Sequence, residues 1–317
     1  MLTEWILIKL GSFKKIMNLE DFIEQLDINI IYFYEHLLLG PMTAVYSGMK
    51  KNPSDEVRKF AYLLIDKYAI QSSSFFFLSK GIIELKKTSD EVKVTGYDLF
   101  TCNSTFRTIL ETYTTFHNIF MESKSKDEEE FRFLLWKIDG LLDKQNLNIK
   151  PENFEEAQSV LDKDAAILSD TRERLEQNNF YKSLPFNESK KLYKPGHNRV
   201  NGRFIIRDNL TIVPLKITEL ISHSCRMRSF TNLYKYTSMH THTGYLSIEH
   251  FIATRGVPIS ERQVKPSIKL ASFLTCLLIM DMHNLDERGK EEFHKLDLGM
   301  QNIIVGISDS IRHSNYS

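Results

Sequence analysis

Apolar side chains recur at three- and four-residue intervals along most of this chain, and that spacing constrains its fold more than any other feature. Near the N-terminus the repeat runs through Leu19, Phe22, Ile23, Leu26 and Ile30. Such a repeat places apolar residues on one face of an α-helix. The 317 residues include only 13 Gly and 8 Pro, which is few for a fold with many tight turns. The sequence therefore predicts an all-α protein, a multi-helix bundle of about eight to ten helices with one irregular basic loop segment.

Turn-forming and charged residues predict where helices begin and end. The Gly40-Pro41 pair is expected to stop the first helix. The acidic stretch KSKDEEE, residues 124–130, is predicted as a solvated connector or as the first turn of the helix that follows it. Other helices are predicted after Pro53-Ser54-Asp55, from Asp98 to Met121, after Pro151, from Leu215 to Thr243, from Ser247 to Thr254, from Pro266 to Asn284 and from Glu287 to His313.

Charge and cysteine content narrow the class of protein. Lys+Arg and Asp+Glu both number 41, so any site for a polyanion depends on local clustering. Cys102, Cys225 and Cys276 lie far apart without a Cys-x-x-Cys pair, which is typical of a reducing compartment. The longest apolar run, ASFLTCLLIMDM from Ala271, is too short to span a bilayer. We expect a cytoplasmic protein without membrane association, cofactor or metal site.

The chain is expected to form one domain with one insertion. Residues 1–16 precede a more natural-looking start at Met17 and are interpreted as an N-terminal extension, and residues 17–317 as a single helical domain. Within residues 178–214 the helical pattern gives way to Pro and Gly, and RFIIRD is able to form a short strand. The insertion carries a basic cluster that is interpreted as either a solvated loop or a nucleic-acid contact. Its cations are Lys190, Lys191, Lys194, Arg199, Arg203 and Arg207.

Tyr234, Ser238 and His242 follow one another at four-residue intervals in NLYKYTSMHTHTGY. On an α-helix these positions lie on nearly one face, where an amphipathic helix usually carries aliphatic residues. They span about 12 Å along the helix axis, so they are able to line one groove but not to touch one atom. Two interpretations stay open: a functional face, or three buried side chains that hydrogen-bond to neighbouring helices.

Arg107 and Glu111 form a second polar pair at helical spacing, in FRTILETYTTFH. Apolar neighbours, among them Phe106, Leu110 and Tyr113, argue against an ordinary surface position. The pair is therefore expected to be partly buried or to line a cleft. Arg is suited to bidentate contact with phosphate or carboxylate, although a purely structural ion pair has the same sequence pattern.

The combination of FRTILETYTTFHNIF with YKYTSMHTHTGY resembles an uncharacterised family of bacterial all-α proteins that pair an R-x3-E helix with a Y-x3-S-x3-H helix. That family is similar to the HEPN group of helical domains, which includes metal-independent ribonucleases, toxins and abortive-infection proteins. The resemblance covers residues 17–285. It implies a functional site formed by Arg107, Glu111, Tyr234, Ser238 and His242.

Catalytic HEPN nucleases carry an Arg-x(4–6)-His signature, and the segment from Arg288 to His294 has this spacing. On a straight helix the two side chains point about 120° apart. They converge only if Gly289 breaks the helix or if two copies of the chain meet. A chance match on an exposed helix is the favoured interpretation, and it weakens the case for RNA cleavage of the family type.

These observations predict a polar cleft between two helices, with three hypotheses for its use. The first is a HEPN-like metal-independent ribonuclease or toxin-type effector in phage defence or stress response. His242 would then act as general base or acid, Arg107 would stabilise phosphorane charge and Glu111 would orient Arg107. The second is a non-catalytic helical module that binds a nucleotide, a phosphate group or a protein partner. The third is an interaction protein without a cleft. RNA or a nucleotide, and a second copy of the chain, are the expected partners.

Overall fold

The computed structural model describes residues 29–49, 53, 55–81, 98–146, 155–194, 200–241, 244–254 and 261–313. The predicted N-terminal extension, residues 1–16, lies outside these ranges. The first helices are α1 (Ile30–Leu37), α2 (Thr43–Gly48), α3 (Glu56–Ser79), α4 (Leu99–Phe116), α5 (Lys126–Gln145), α6 (Glu155–Gln177), α7 (Asn179–Ser183) and α8 (Phe186–Leu192). After the strands β1 (Phe204–Ile206) and β2 (Ile212–Pro214) come α9 (Ile217–Cys225), α10 (Arg228–Thr241), α11 (Tyr245–Thr254), α12 (Glu261–Leu285), α13 (Glu287–His294) and α14 (Leu298–Arg312). The predicted all-α, multi-helix architecture is confirmed.

The chain divides into two compact units. The first comprises the described residues of 1–54, 59–114 and 221–317, and the second comprises those of 55–58 and 115–220. The single helical domain over residues 17–317 stays a prediction. The predicted basic insertion falls within the second unit, where it includes two short helices and two short strands, α7, α8, β1 and β2.

Helix α12 forms the centre of the first unit, and α1, α13 and α14 pack against it. Its side chains Leu274, Leu277 and Ile279 are fully buried. Residues Arg262–Leu285 are long and apolar enough to cross a membrane, but 72% of the most apolar window is buried. That burial is the pattern of a core helix in a soluble protein.

A buried carboxylate links three helices of the first unit. Asp281 of α12 accepts a hydrogen bond from the Tyr113 hydroxyl of α4 at 3.1 Å and another from the Arg312 guanidinium of α14. Asp281 is fully buried, so the removal of a partner would leave its charge uncompensated. Because Tyr113 lies two residues after Glu111, the same contact fixes the part of α4 that carries the Arg107–Glu111 pair.

In the second unit, α5 packs against α6 and α7, and β1 pairs with β2 in an antiparallel hairpin. The predicted strand in RFIIRD is therefore present, and it is stabilised by a partner strand at residues 212–214. Phe204 of β1 is buried against the ring of Phe131, at 5.7 Å between centroids. The side chains of α5 thus provide the core on which the hairpin rests.

The acidic stretch 124–130 is only partly as predicted. It does supply the first turn of α5, with the Ser125 hydroxyl accepting the Glu128 N–H at 3.2 Å. However, Glu128 and Glu129 are buried rather than solvated. Glu128 accepts two hydrogen bonds from the Arg132 guanidinium, at 2.9 and 2.8 Å, which compensate its burial.

Three predicted helix boundaries are wrong. Gly40 and Pro41 do not stop the helix: residues Leu38–Met42 form a π-helical turn, and the Thr43 hydroxyl donates to the Leu38 carbonyl at 2.7 Å. Because Pro41 has no N–H, the helix widens there instead of ending.

The predicted helix from 215 to 243 is broken after Cys225. Arg226 adopts a left-handed conformation, with φ 47°, and its N–H bonds to the Ser222 carbonyl at 3.1 Å. This is a common C-terminal helix cap, but it usually carries Gly, so an Arg at this position does not signal it. The predicted helix from 287 to 313 is likewise divided, because the Asp297 carboxylate caps α14 by accepting the N–H groups of Gly299 and Met300.

Candidate functional site: an Arg–Glu–Tyr cluster

Helices α4 and α10 of the first unit bring together two sequence motifs that are more than a hundred residues apart. The Tyr234 hydroxyl donates to Glu111 Oε1 at 2.7 Å, across a separation of 123 residues. Arg107 Nε donates to the same oxygen at 2.9 Å. The expectation that these two helices face each other is therefore confirmed.

Arg107 also lies over the aromatic ring of Tyr234, with 5.0 Å between its Cζ atom and the ring centroid. A guanidinium at this distance is attracted by the π-electrons of the ring. Arg107 is thus oriented by a hydrogen bond to Glu111 and by its contact with the Tyr234 ring. The hydrogen bond between Tyr234 and Glu111 fixes these two residues relative to each other. We call these three residues the Arg–Glu–Tyr cluster.

The cluster lies at the edge of the helical core rather than inside it. The side chains of Arg107 and Glu111 are 24% and 38% exposed, whereas Tyr234 is buried. Beneath them, Phe106 and Leu110 are fully buried. The apolar neighbours that the sequence placed around the pair therefore belong to the core under the cluster. Solvent reaches the two charged groups.

Electrostatics fix the protonation of two members of the cluster. Burial raises the pKa of Tyr234, and the hydrogen bond to Glu111 raises it further, so the phenol keeps its proton and acts as a donor. Burial by itself would lower the pKa of Arg107, but its hydrogen bond to Glu111 and the nearby Tyr234 and Glu111 outweigh burial and raise it. The cluster therefore presents a permanent cation whose geometry is set by its neighbours.

Ser238 lies one turn after Tyr234 on α10, as predicted. Its hydroxyl donates to the Tyr234 carbonyl at 2.7 Å, a bond within the helix that uses the hydroxyl proton locally. His242 lies outside the described residues. Of the five predicted site residues, three meet in the Arg–Glu–Tyr cluster and Ser238 lies beside it, while the place of His242 in the site stays a prediction.

Two further contacts of the helix that carries Arg107 and Glu111 were missed by sequence reasoning. Gln71 of α3 accepts a hydrogen bond from the Thr112 hydroxyl at 2.8 Å, next to Glu111 in sequence. Phe100, two turns before Arg107 on α4, contacts His250 and Phe251 of α11, with ring centroids 6.1 and 5.9 Å apart. The spacing of Phe100 from Arg107 was the one sequence signal for such a contact. Residues seven positions apart lie on the same face of a helix.

The predicted basic residues belong to the second unit, not to the Arg–Glu–Tyr cluster. Lys191 donates to Glu188 at 2.8 Å and to the Ile212 carbonyl at 3.2 Å, so it serves the packing of α8 on β2. Arg199 lies outside the described residues. The other four predicted cations, Lys190, Lys194, Arg203 and Arg207, are exposed.

The Arg288–His294 spacing does not form a site within one chain. Both residues are exposed on α13, which continues through Gly289 without a break, so their side chains diverge. Gly289 instead allows close packing, because a Cβ at this position would lie 3.1 Å from the Met282 carbonyl oxygen. A role for this pair across a dimer stays a prediction.

Within the described ranges, no three His, Cys, Asp or Glu side chains are grouped so as to hold a metal ion. Comparisons with known protein families, with curated proteins and with solved structures find no match for this chain. The fold and the geometry of the Arg–Glu–Tyr cluster define the chain as a helical-bundle protein in which a partly exposed arginine, Arg107, is oriented by a glutamate and a tyrosine.

Proposed function

We propose that the Arg–Glu–Tyr cluster binds a phosphate group of RNA, and that the protein is a HEPN-like metal-independent ribonuclease or toxin-type effector in phage defence or stress response. One observation carries the proposal: Tyr234 and Arg107 bond to the same Glu111 oxygen, at 2.7 and 2.9 Å, so a half-exposed guanidinium is held in a fixed orientation. Guanidinium groups held in this way are suited to phosphate recognition.

Each residue of the proposed site has a separate role. Arg107 stabilises the negative charge that develops on the phosphorane, while Glu111 and Tyr234 orient it. His242, eight residues after Tyr234, is the proposed general base or acid. In cleavage, the ribose 2′-oxygen attacks phosphorus, the bond to the 5′-oxygen breaks, and the proton leaves the 2′-hydroxyl and reaches the departing oxygen.

The test is incubation of the purified protein with total RNA in EDTA, with gel analysis of the fragments. Removal of one group that stabilises an oxyanion typically costs about 100-fold or more in rate, so Arg107→Ala is expected to lose that much activity. His242→Ala should also be inactive. Arg262→Ala, a substitution of an exposed arginine in the same unit, is the matched control and should cleave normally.

Three results would count against the ribonuclease proposal. Intact RNA would do so, as would equal cleavage by wild-type protein and His242→Ala. Cleavage lost in Arg288→Ala but retained in Arg107→Ala would move the activity to the other arginine. Circular dichroism of each variant separates loss of activity from loss of fold.

The alternative is a non-catalytic helical module in which the same cluster recognises a nucleotide, a phosphate group or a protein partner. The bonds within the cluster favour it, because Glu111 Oε1 already accepts two hydrogen bonds and so holds Arg107 without any reacting group. A ligand present at 100 times its Kd stabilises the fold by about 2.7 kcal/mol. Thermal stabilisation by nucleotides that is lost in Arg107→Ala, without product formation, distinguishes this alternative from catalysis.

A further inference from the structure

The second unit holds a local excess of positive charge that the Arg–Glu–Tyr cluster does not involve. Residues 178–214 contain seven Lys or Arg and two acidic residues, Glu188 and Asp208. This segment therefore carries a net charge of +5 in a chain whose formal net charge is zero. Such an imbalance is the electrostatic feature that attracts polyanions.

Both acidic residues of the segment already have cationic partners. Glu188 accepts from Lys191 at 2.8 Å and from the Ile212 N–H at 2.6 Å. These contacts, that with Lys191 foremost, lower its pKa. Asp208 pairs with Lys124 at 3.0 Å. Neither carboxylate is therefore left to neutralise the remaining cations of the segment.

The segment is also built as a defined scaffold rather than a loose loop. The ladder between β1 and β2 is extended at both ends by backbone bonds, from the Leu215 N–H to the Arg203 carbonyl at 2.9 Å and from the Arg207 N–H to the Thr211 carbonyl at 3.0 Å. Helix α8 packs on β2, and the Asn201 N–H bonds to the Leu192 carbonyl at 3.0 Å. The charges of α8 and of the hairpin are thus held on one compact substructure.

Alternation along the extended chain places two arginines on the same side. Arg203 and Arg207 flank β1 and are both exposed, whereas Phe204 points into the core. Four residues of extended chain separate them by about 13 Å. On α8, Lys190 Nζ lies 3.7 Å from the ring centroid of Phe186, a side chain that is 69% exposed.

The basic hairpin surface is the name that we give to the four exposed cations of this substructure, Lys190, Lys194, Arg203 and Arg207. Within the described ranges, no carboxylate lies within 4.0 Å of these four cations. Asp139 of α5 is close enough to Arg203 for their charges to interact. The Arg203 guanidinium is nevertheless exposed to solvent. The surface therefore keeps most of its positive charge available to a partner.

We infer that the basic hairpin surface binds the sugar–phosphate backbone of a single-stranded nucleic acid without reading its base sequence. Cations on a fixed scaffold contact phosphates, and the exposed Phe186 ring is available to stack on a base. A membrane surface fits less well, because Phe186 is the one large apolar side chain of the described part of this segment that is strongly exposed. The inference concerns binding and does not require that the protein cleaves RNA.

The test measures binding of the full-length protein to a fluorescent, fully 2′-O-methylated RNA oligonucleotide by fluorescence anisotropy. The methyl groups block attack by the 2′-oxygen, so binding is observed apart from cleavage. For single strands, each phosphate contact contributes about −0.7 to the slope of log K against log salt. Four contacts predict that the affinity falls about 50-fold between 50 and 200 mM salt.

Replacement of all four cations by Gln should remove most of this salt dependence and weaken binding at 50 mM salt by at least about 50-fold. The matched control removes four positive charges from exposed sites elsewhere, with Gln at Lys59, Lys67, Lys163 and Arg262. Control protein that binds like wild type supports the inference. An equal loss in the control would show a general effect of charge and overturn it.

Two further outcomes overturn the inference: no binding by wild-type protein at 50 mM salt, or binding to vesicles of anionic phospholipid without binding to the oligonucleotide. The Arg107→Ala variant distinguishes this inference from the proposed function. It should bind the 2′-O-methylated oligonucleotide through the basic hairpin surface even if it fails to cleave natural RNA. Because all four substituted side chains are exposed, circular dichroism and Tm are expected to match those of wild type.

Discussion

Two Arg–Glu pairs with the same helical spacing lie in opposite environments in this molecule. In the first unit, Arg107 and Glu111 are 24% and 38% exposed. In the second unit, Arg132 and Glu128 are 2% and 5% exposed. Each arginine donates from Nε to its partner at 2.9 Å. The i,i+4 spacing is therefore enough to produce the Arg–Glu hydrogen bond. Burial decides whether the pair stabilises the fold only or is also accessible to a ligand.

The buried pair is surrounded on all sides. Arg132 Nη1 donates to the carbonyl and side-chain oxygens of Asn118 at 3.1 and 3.2 Å, and its Cζ atom lies 5.0 Å from the Phe204 ring centroid. Glu128 in turn accepts the Lys124 N–H at 3.1 Å. These contacts connect α5, its preceding turn and β1. The half-exposed pair is joined to a second helix by the Tyr234 hydroxyl, which donates to Glu111.

The largest predicted effect comes from breaking the buried pair. Arg132→Leu leaves the Glu128 carboxylate buried without its cation, which typically costs about 3–5 kcal/mol. The matched substitution Arg107→Leu removes a half-exposed pair and is expected to cost about 1 kcal/mol or less. Urea unfolding followed by circular dichroism measures both.

The double variant Glu128→Leu/Arg132→Leu tests the reason for that cost. If the penalty arises from an uncompensated charge, removal of both charges should restore part of the stability lost in Arg132→Leu. Equal costs for Arg132→Leu and Arg107→Leu would show that burial does not separate the two pairs.

Tyr234→Phe is expected to have an intermediate effect. It removes the hydrogen bond to Glu111 while keeping the ring under Arg107, at a cost of about 1 kcal/mol in the free energy of unfolding. If Tyr234 orients the guanidinium through Glu111, RNA cleavage or nucleotide binding should also decline. Tyr236→Phe, two residues along the same helix, is the control. A functional loss as large in the control as in Tyr234→Phe would contradict an orienting role.

Glu129 offers a smaller, pH-dependent contrast with its neighbour Glu128. It has a single bond to Arg58, at 3.3 Å, and burial raises its pKa. The folded state therefore holds this proton more tightly than the unfolded state does, so the contribution of Glu129 to stability falls as pH rises through the two pKa values. Glu129→Gln should gain in Tm relative to wild type as the pH rises above 4.5, the ordinary pKa of this carboxyl group. Parallel Tm curves would count against this assignment.

The smallest predicted effect concerns the hairpin that carries Phe204 beneath Arg132. Leu210 adopts φ 57° in the turn, a left-handed conformation that favours Gly. Leu210→Gly relieves this strain but increases the freedom of the unfolded chain, so we expect a gain of less than about 1 kcal/mol. Thr211→Gly, at the next position without a positive φ, should lose stability. A loss for Leu210→Gly as large as that for Thr211→Gly would contradict strain at this turn.

Local signals in the sequence were enough for many elements. The start of α3 was predicted from Pro53-Ser54-Asp55, and the Asp55 carboxylate does accept the Val57 N–H at 3.0 Å. Helix α4 was predicted with its polar pair, and the strand in RFIIRD was anticipated. The break at Arg226 was missed because its left-handed conformation is imposed on a residue that does not signal it.

The sequence predicted which residues of the candidate site share a face of the same helix. The positions of Arg107 and Glu111 on one face of α4, and of Tyr234 and Ser238 on α10, follow from helical geometry alone. Their hydrogen-bonded contact depends on the packing of two helices that are distant in sequence. The hydrogen bond between Thr112 and Gln71 could not be predicted, because no spacing relates α3 to α4.

Sequence by itself determined the helices, their apolar faces and the charge of the basic insertion, since these depend on residues a few positions apart. The tertiary structure decided which charged residues are buried. The acidic stretch that contains Glu128 was expected to be a solvated connector or a first turn, yet Glu128 is buried beside Arg132 of the same helix. Asn118 and Phe204, which belong to separate segments, contact that arginine. Burial depends on which distant segments pack together, and no local pattern encodes that choice.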